Sequence, residues 1–99
     1  MTQQLQFDST KIGAFCRRNH IRKLAFFGSV LREDFRPDSD VDVLVEFELG
    51  KVPGLAFFAM QRELSEILGR TVDLNTPGFF SSRLLSQVMS EAEVKYAQA

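Results

Sequence analysis

The sequence has little cysteine, little histidine and almost no excess charge. The low cysteine content and the balanced charge each argue against a class of structure or function. Cys16 is the only cysteine, so no internal disulfide can form. Twelve basic against thirteen acidic residues give a net charge of −1, which argues against strong binding of DNA or RNA. No apolar run approaches the roughly 18 residues of a membrane span, and no signal peptide is present. We therefore expect a cytoplasmic protein that is not bound to a membrane.

The length allows one domain and little more. We expect the 99 residues to form a single domain, residues 1–99, with ten phenylalanines to build its core. A chain this short has little room for a second, substrate-binding domain. If it is an enzyme, its acceptor must be held by a partner, by a second copy of the chain, or by a shallow surface. Homo- or hetero-oligomers are both compatible with this requirement.

Residues that often carry chemistry have plainer interpretations in the first third of the chain. Cys16 lies in an apolar helical pattern, which favours a small core residue over a nucleophile. His20 follows that helix and could act as a base or a ligand, although a solvated or capping role is the favoured interpretation. The same helix end carries a basic cluster: Arg17, Arg18, Arg22 and Lys23. This cluster is typical of a solvated helix end, where cations are favoured.

An apolar segment that ends in Gly-Ser predicts a strand followed by a phosphate-binding turn. Residues 24–27 are apolar and aromatic, as in a buried strand. Gly28 allows a sharp turn or the close approach of a ligand. Residues 29–32 could then form one helical turn whose free N–H groups attract phosphate.

Two acidic residues open the next apolar run. From Asp40 the pattern alternates with period two, so that Val41, Val43, Val45 and Phe47 share one face. Asp40 and Asp42 therefore point to the other face, with α-carbons about 6.6 Å apart. Carboxylates at this spacing can share a pair of divalent ions and suit hard cations such as Mg²⁺. Taken alone, the pair is more typical of solvated acids at the start of a strand than of a metal site.

The combination is more specific than its parts. Gly28-Ser29, a gap of ten residues and then Asp40-x-Asp42 resemble the signature of the DNA polymerase β-like nucleotidyltransferase superfamily. The segment from Arg32 to Val45 resembles the minimal nucleotidyltransferases, and so does the later Val-Asp-Leu around Asp73 that Thr-Pro follows. Minimal nucleotidyltransferases often act as antitoxins of HEPN-domain toxins. Glu33 stands where these relatives often carry glycine, which leaves the turn of that loop undefined.

The resemblance implies a site and a reaction. Asp40, Asp42 and Asp73 would be catalytic and would hold two Mg²⁺ ions, and ATP would be the substrate. The implied nucleotide-binding residues are Gly28, Ser29, Arg32 and Ser39. The acceptor would be a hydroxyl, by resemblance a tyrosine, on a HEPN-family toxin. For two of these residues a plainer role stays open, because Asp73 would also suit an exposed strand edge, and Arg32 could pair with a nearby acid.

The remaining elements predict an α/β (α+β) fold, a small mixed sheet backed by helices. A first helix is capped at residues 8–10, and a second spans residues 55–68 and stops at Gly69. Residues 71–75 form a short strand, and a last helix starts at Ser81 or Ser82 and continues through Val94 and Tyr96. If the site is to assemble, the first two strands must be antiparallel, whereas the intervening helix makes the second and third parallel.

Two other functions remain open. The protein could neutralise a toxin by covering it, with exposed aromatic side chains as anchors: Phe57, Phe58, Phe79 and Phe80. Protection by a variant without the site carboxylates would favour that alternative. Nucleotidyl transfer to a small molecule is the third possibility. The related enzymes that catalyse it, the aminoglycoside nucleotidyltransferases, have extra helical domains.

Overall fold

The computed structural model describes residues 7–31 and 40–98. Within them lie three α-helices, four β-strands and two short 3-10 turns. In chain order these are α1 (Ser9–Arg18), β1 (Ile21–Phe27), the turn Gly28–Leu31, β2 (Val41–Phe47), α2 (Ala56–Leu68), β3 (Val72–Asn75), the turn Pro77–Phe79, α3 (Ser82–Glu91) and β4 (Glu93–Ala97). Asp8 caps α1 as expected, because its carboxylate accepts from the amides of Thr10 and Lys11.

The four strands form one mixed sheet in the order β3-β2-β1-β4. Strand β2 is antiparallel to β1 and parallel to β3, as the sequence predicts. Helix α2 makes the crossover between the two parallel strands. The end of β1 and the starts of β2 and β3 consequently lie at the same end of the sheet. The predicted mixed sheet backed by helices is confirmed.

The main core lies between one face of the sheet and the helices α1 and α2. Alternate strand residues such as Leu24, Phe26 and Val43 face this core, together with Phe15 from α1 and Leu64 from α2. Leu64 is fully buried, and burial of a leucine side chain contributes about 1.5–3 kcal/mol. The period-two pattern of β2 and the 3.6-residue pattern of α2 are therefore both satisfied by the same core.

Cys16 belongs to this core, as predicted. Its side chain is fully buried against the sheet. Burial raises the pKa of the thiol to about 12, although the neighbouring Arg17 guanidinium opposes the shift. The thiol is therefore protonated at neutral pH, which excludes it as a nucleophile.

The prediction that the last helix continues through Val94 and Tyr96 is wrong. Helix α3 ends at Glu91, and Ala92 already has extended dihedral angles. Val94 and Tyr96 lie in β4, an antiparallel neighbour of β1. The two residues are spaced by two, so their apolar pattern suits a strand as well as a helix, and the open edge of β1 decides the outcome by offering backbone hydrogen bonds.

The second face of the sheet is partly covered as well. Ala25 and Leu44 are buried on this face and border a small cavity with Met89 and Val94. No helix in the described part of the chain combines the length and the apolar character that crossing a membrane requires.

We predict that Leu64→Ala lowers the free energy of unfolding by about 2–5 kcal/mol, because it leaves a cavity between α2 and the sheet. Leu49→Ala is the matched control, since Leu49 is fully exposed in a turn and should change stability by less than about 0.5 kcal/mol. Urea denaturation measures both values. Equal losses in the two variants would contradict the assignment of Leu64 to the core.

Candidate active site

The site begins where β1 ends. Strand β1 stops at Phe27, and Gly28 follows with a φ of +74°, a left-handed conformation that favours glycine. The 3-10 turn Gly28–Leu31 comes next, and the buried side chain of Val30 anchors it to the core. The turn predicted after the first strand is therefore present, in its tighter 3-10 form.

The first and third strands place their residues beside Asp42. Across the antiparallel pair Asp42 lies opposite Phe27, and across the parallel pair it lies opposite Asp73. Side chains of residues in register project from the same face of a sheet, and neighbouring strands are about 4.8 Å apart. Asp42 and Asp73 are thus adjacent carboxylates on the face that does not contact α1 and α2.

Gly28 is in close contact with one of these carboxylates. A β-carbon at position 28 would overlap with Oδ2 of Asp42, so any side chain at this position would displace the carboxylate. The absence of a side chain therefore lets the Asp42 carboxylate lie directly against the backbone of the turn. The predicted meeting of the Gly-Ser turn with the Asp-x-Asp segment is present at this contact.

Asp40 lies at the rim of the same end of the sheet. It immediately precedes β2 and is exposed. The amide of Val41 donates to the carbonyl of Thr71 at 2.9 Å, so the pairing with the third strand already begins at this level. If the alternation of β2 continues back by two residues, Asp40 projects from the same face as Asp42.

The donor set fits a hard divalent cation. Asp42 and Asp73 offer carboxylate oxygens from two adjacent strands, and oxygen ligands are those that Mg²⁺ prefers. Within residues 7–31 and 40–98, however, no three acidic, histidine or cysteine side chains are grouped as a metal-ligand set. The assignment of Asp40, Asp42 and Asp73 as metal ligands therefore stays a prediction.

Three of the predicted nucleotide-binding residues have no described side chain. Arg32 and Ser39 lie outside the described residues. Ser29 belongs to the 3-10 turn, but only its backbone is described. Their roles stay predictions from the resemblance.

The aromatic residues singled out in the sequence divide between the two ends of the sheet. Phe80 stacks edge-on against Phe27, with 5.9 Å between ring centroids, close to the carboxylates. Phe57 contacts both Phe58 and Phe79, at 6.2 and 5.5 Å. These three rings line a groove of about 510 Å³ beside the end of β2 that lies away from Asp42. Phe58 and Phe79 are 66% and 62% exposed, so this groove is an open apolar surface.

The sequence analysis missed two polar residues on α2 that contact the strand of Asp73. Gln61 and Ser65 accept hydrogen bonds from backbone amides of β3. They are spaced by four beside the apolar stripe of Met60, Leu64 and Leu68, and so they face the sheet rather than solvent. Polar residues at that spacing next to a buried stripe are the signal that could have identified them.

Comparison with known proteins gives a family that agrees with this geometry. Residues 9–95 match the nucleotidyltransferase domain. The chain belongs to the nucleotidyltransferase domain family. The match includes β1, β2 and β3, and with them the turn at Gly28 and all three predicted acids.

Curated relatives of this nucleotidyltransferase carry a more specific name. The protein adenylyltransferase MntA of Thermococcus cleftensis is 36% identical over 72 residues, which cover 72% of this chain and 71% of the relative. A provisionally named protein adenylyltransferase of Methanocaldococcus jannaschii is 33% identical over 82 residues, or 83% of this chain and 87% of the relative.

Solved structures share the fold of this nucleotidyltransferase. One provisionally described as a minimal nucleotidyltransferase has a TM-score of 0.72 at 34% identity, with 86% of each chain covered. A toxin–antitoxin structure with AMP-PNP has a TM-score of 0.74 at 22% identity, covering 92% of this chain and 74% of the other. A tri-AMPylated HEPN toxin of Shewanella oneidensis in complex with MNT antitoxin gives 0.65 at 22% identity, covering 91% and 70%.

We predict that Gly28→Ala destabilises the nucleotidyltransferase more than Gly50→Ala does. Both glycines have nearly the same positive φ, +74° and +77°, so both variants carry a left-handed strain of about 1–2 kcal/mol. Gly50 has nothing within 4 Å of an added β-carbon, whereas at position 28 the Asp42 side chain must leave its rotamer, which should add about 0.5–1.5 kcal/mol. Urea unfolding of the two variants measures the difference. Equal destabilisation would show that the Asp42 carboxylate does not lie against the turn.

Proposed function

We propose that this nucleotidyltransferase transfers AMP from ATP to a hydroxyl of a partner protein, a tyrosine on a HEPN-family toxin, and so acts as an antitoxin. The names of the curated relatives support protein adenylylation. A solved relative that contains AMP-PNP and another that contains an AMPylated HEPN toxin support the nucleotide and the partner. Because ATP and Mg²⁺ are plentiful in the cytoplasm, we keep that location as part of the proposal.

One observation carries the proposal. Asp42 and Asp73 are in register on adjacent strands, and Gly28 meets Asp42 at the end of β1. A turn that offers backbone N–H groups therefore lies beside a pair of carboxylates. Nucleotidyl transfer requires phosphate binding and charge neutralisation, and the proposal assigns the first to the turn and the second to the carboxylates.

The turn after β1 would bind the outer phosphates of ATP. Gly28, which begins the 3-10 turn, would admit the close approach of a phosphate to the backbone, and the first N–H groups of the turn, including that of Ser29, would donate to the phosphate oxygens. Arg32 and Ser39 follow in the segment between β1 and β2 and would add a cation and a hydroxyl. The strand register keeps this phosphate-binding turn next to Asp42.

The acids would hold the metal. Asp40, Asp42 and Asp73 would provide carboxylate ligands for two Mg²⁺ ions, which neutralise phosphate charge and lower the pKa of the acceptor hydroxyl when bound. Asp73, on the outermost of the three strands at the site, would also receive the acceptor proton on a carboxylate oxygen. The acceptor oxygen bonds to the α-phosphorus, the bond from that phosphorus to the bridging oxygen breaks, and pyrophosphate leaves.

The exposure of the carboxylates supports a protein as the acceptor. We propose that residues 1–99 form a single domain that contains the nucleotide site. The carboxylate face at this end of the sheet carries an exposed Asp40 and an exposed Asp73, so a large acceptor can reach it. A side chain presented by a folded partner would be positioned by the partner surface rather than by a pocket of this chain.

We predict that Asp42→Asn reduces AMP transfer by at least about 100-fold, because it removes a carboxylate that neutralises phosphate charge. The assay follows the transfer of label from ATP, with Mg²⁺, to the partner HEPN-family toxin. Glu46→Gln is the matched control, since Glu46 lies on the same strand and face four residues away, where it pairs with Arg22 at 2.7 Å. Transfer by wild type and Glu46→Gln but not by Asp42→Asn is the expected pattern. Label transfer that survives Asp42→Asn would contradict the catalytic assignment.

Neutralisation by complex formation is a second candidate, and the aromatic groove favours it. Phe58 and Phe79 remain largely exposed in this groove beside Leu49 and Val52, which are more than four-fifths exposed. Open apolar surfaces of this kind commonly contact other proteins. The groove lies away from Asp42, so binding through it and catalysis at the carboxylates can be separated by mutation.

We predict that Asp40→Asn combined with Asp42→Asn abolishes protection of cells that express the toxin, while the two proteins still co-purify. Phe58→Ala combined with Phe79→Ala should weaken co-purification and leave the carboxylates intact. Growth and co-purification are measured for both double variants. Full protection by the variant without carboxylates would favour neutralisation by binding over adenylylation.

A further inference from the structure

Strand β3, which carries Asp73, is an edge strand of the sheet that the described residues form. Among those residues its four members pair with β2, and its other edge faces away from the sheet. In a parallel ladder, alternate residues direct their backbone groups to the same side. Thr71 accepts from β2, so Asp73 also faces β2, whereas the amides of Val72 and Leu74 point outward.

Helix α2 supplies acceptors for both outward amides. Ser65 Oγ accepts from the Val72 amide at 3.1 Å, and Gln61 Oε1 accepts from the Leu74 amide at 3.0 Å. The Ser65 hydroxyl donates to the carbonyl of Gln61 at 2.8 Å, which directs its lone pairs towards the strand. The two side chains are one helical turn apart, and they bond to amides on either side of Asp73.

These bonds add to the ladder with β2 and hold the strand from its other edge. A strand of four residues with one neighbour has few hydrogen bonds to define its register and twist. All four residues that form these two bonds are partly or fully buried, so water competes poorly for the outward amides. Helix α2 is itself anchored in the core through Leu64, which lies between the two polar residues. The position of Asp73 is thereby tied to the core rather than to the edge alone.

We propose that Gln61 and Ser65 are positioning residues for Asp73 in nucleotidyl transfer. This inference rests on the proposed function, in which Asp73 contributes to the metal site and receives the acceptor proton. Displacement of a catalytic group by about 1 Å can reduce turnover by about 100-fold. The phosphate-binding turn at Gly28 belongs to another strand, so loosening β3 should affect turnover far more than binding of ATP.

The test replaces Gln61 with two residues of similar shape. Gln61→Met removes the acceptor for the Leu74 amide, whereas Gln61→Glu keeps a carboxylate oxygen there. Ser65→Ala removes the acceptor for the Val72 amide. For each variant, amide hydrogen exchange is measured by NMR in the free protein, and kcat and the KM for ATP are measured with Mg²⁺ and the toxin.

We expect the Leu74 amide to exchange at least about tenfold faster in Gln61→Met than in wild type, and the Val72 amide to do the same in Ser65→Ala. The amide of Val45, in the central strand β2, is the control and should exchange at an unchanged rate. Values of kcat should fall about 10- to 100-fold while the KM for ATP changes less than about threefold. Gln61→Glu should keep both the slow exchange of the Leu74 amide and the wild-type kcat.

Faster exchange with an unchanged kcat would overturn the positioning role, and so would equal impairment of Gln61→Met and Gln61→Glu. If wild type transfers no AMP, the proposed function fails on its own. The hydrogen-exchange measurement still tests whether α2 holds the strand of Asp73. Unchanged exchange rates of the Leu74 amide in Gln61→Met and of the Val72 amide in Ser65→Ala would show that it does not.

Discussion

The structure depends on the pairing of β2 with a different partner on each side. Its antiparallel ladder with β1 places Phe27 beside Asp42, and its parallel ladder with β3 places Asp73 on the other side. Because a shift of one residue in either ladder would turn a carboxylate into the core, the alternation of buried valines fixes the register. The core that stabilises the sheet therefore also determines which acids meet.

Gly28 brings the turn after β1 into contact with the carboxylate that this register positions. Its positive φ ends β1 abruptly, and its missing side chain leaves room for the Asp42 carboxylate. The backbone turn that follows and the carboxylate pair then lie within one small region of a sheet that has helices on its other face. The groups to which the proposal assigns nucleotidyl transfer thus lie together at one end of the sheet.

The sequence predicted most of this arrangement because its strongest patterns are local. The alternation from Val41 to Phe47 and the Gly-Ser and Asp-x-Asp spacing required the antiparallel pair, and the helix before β3 required the parallel one. It failed at Val94 and Tyr96, whose pattern is ambiguous and whose conformation is decided by the free edge of β1. It also gave no role to Gln61 and Ser65, since the bonds that matter there join helix side chains to backbone amides distant in sequence.

The central claim is that Asp42 and Asp73 bind the same divalent ion beside the turn at Gly28. A crystal structure with Mn²⁺ and a non-hydrolysable ATP analogue tests it directly, since the anomalous signal of manganese locates the ion independently of its ligands. The account predicts a manganese peak about 2.0–2.3 Å from a carboxylate oxygen of each residue, with the triphosphate on the turn. Manganese bound to Asp42 without Asp73, or located away from both, would contradict it.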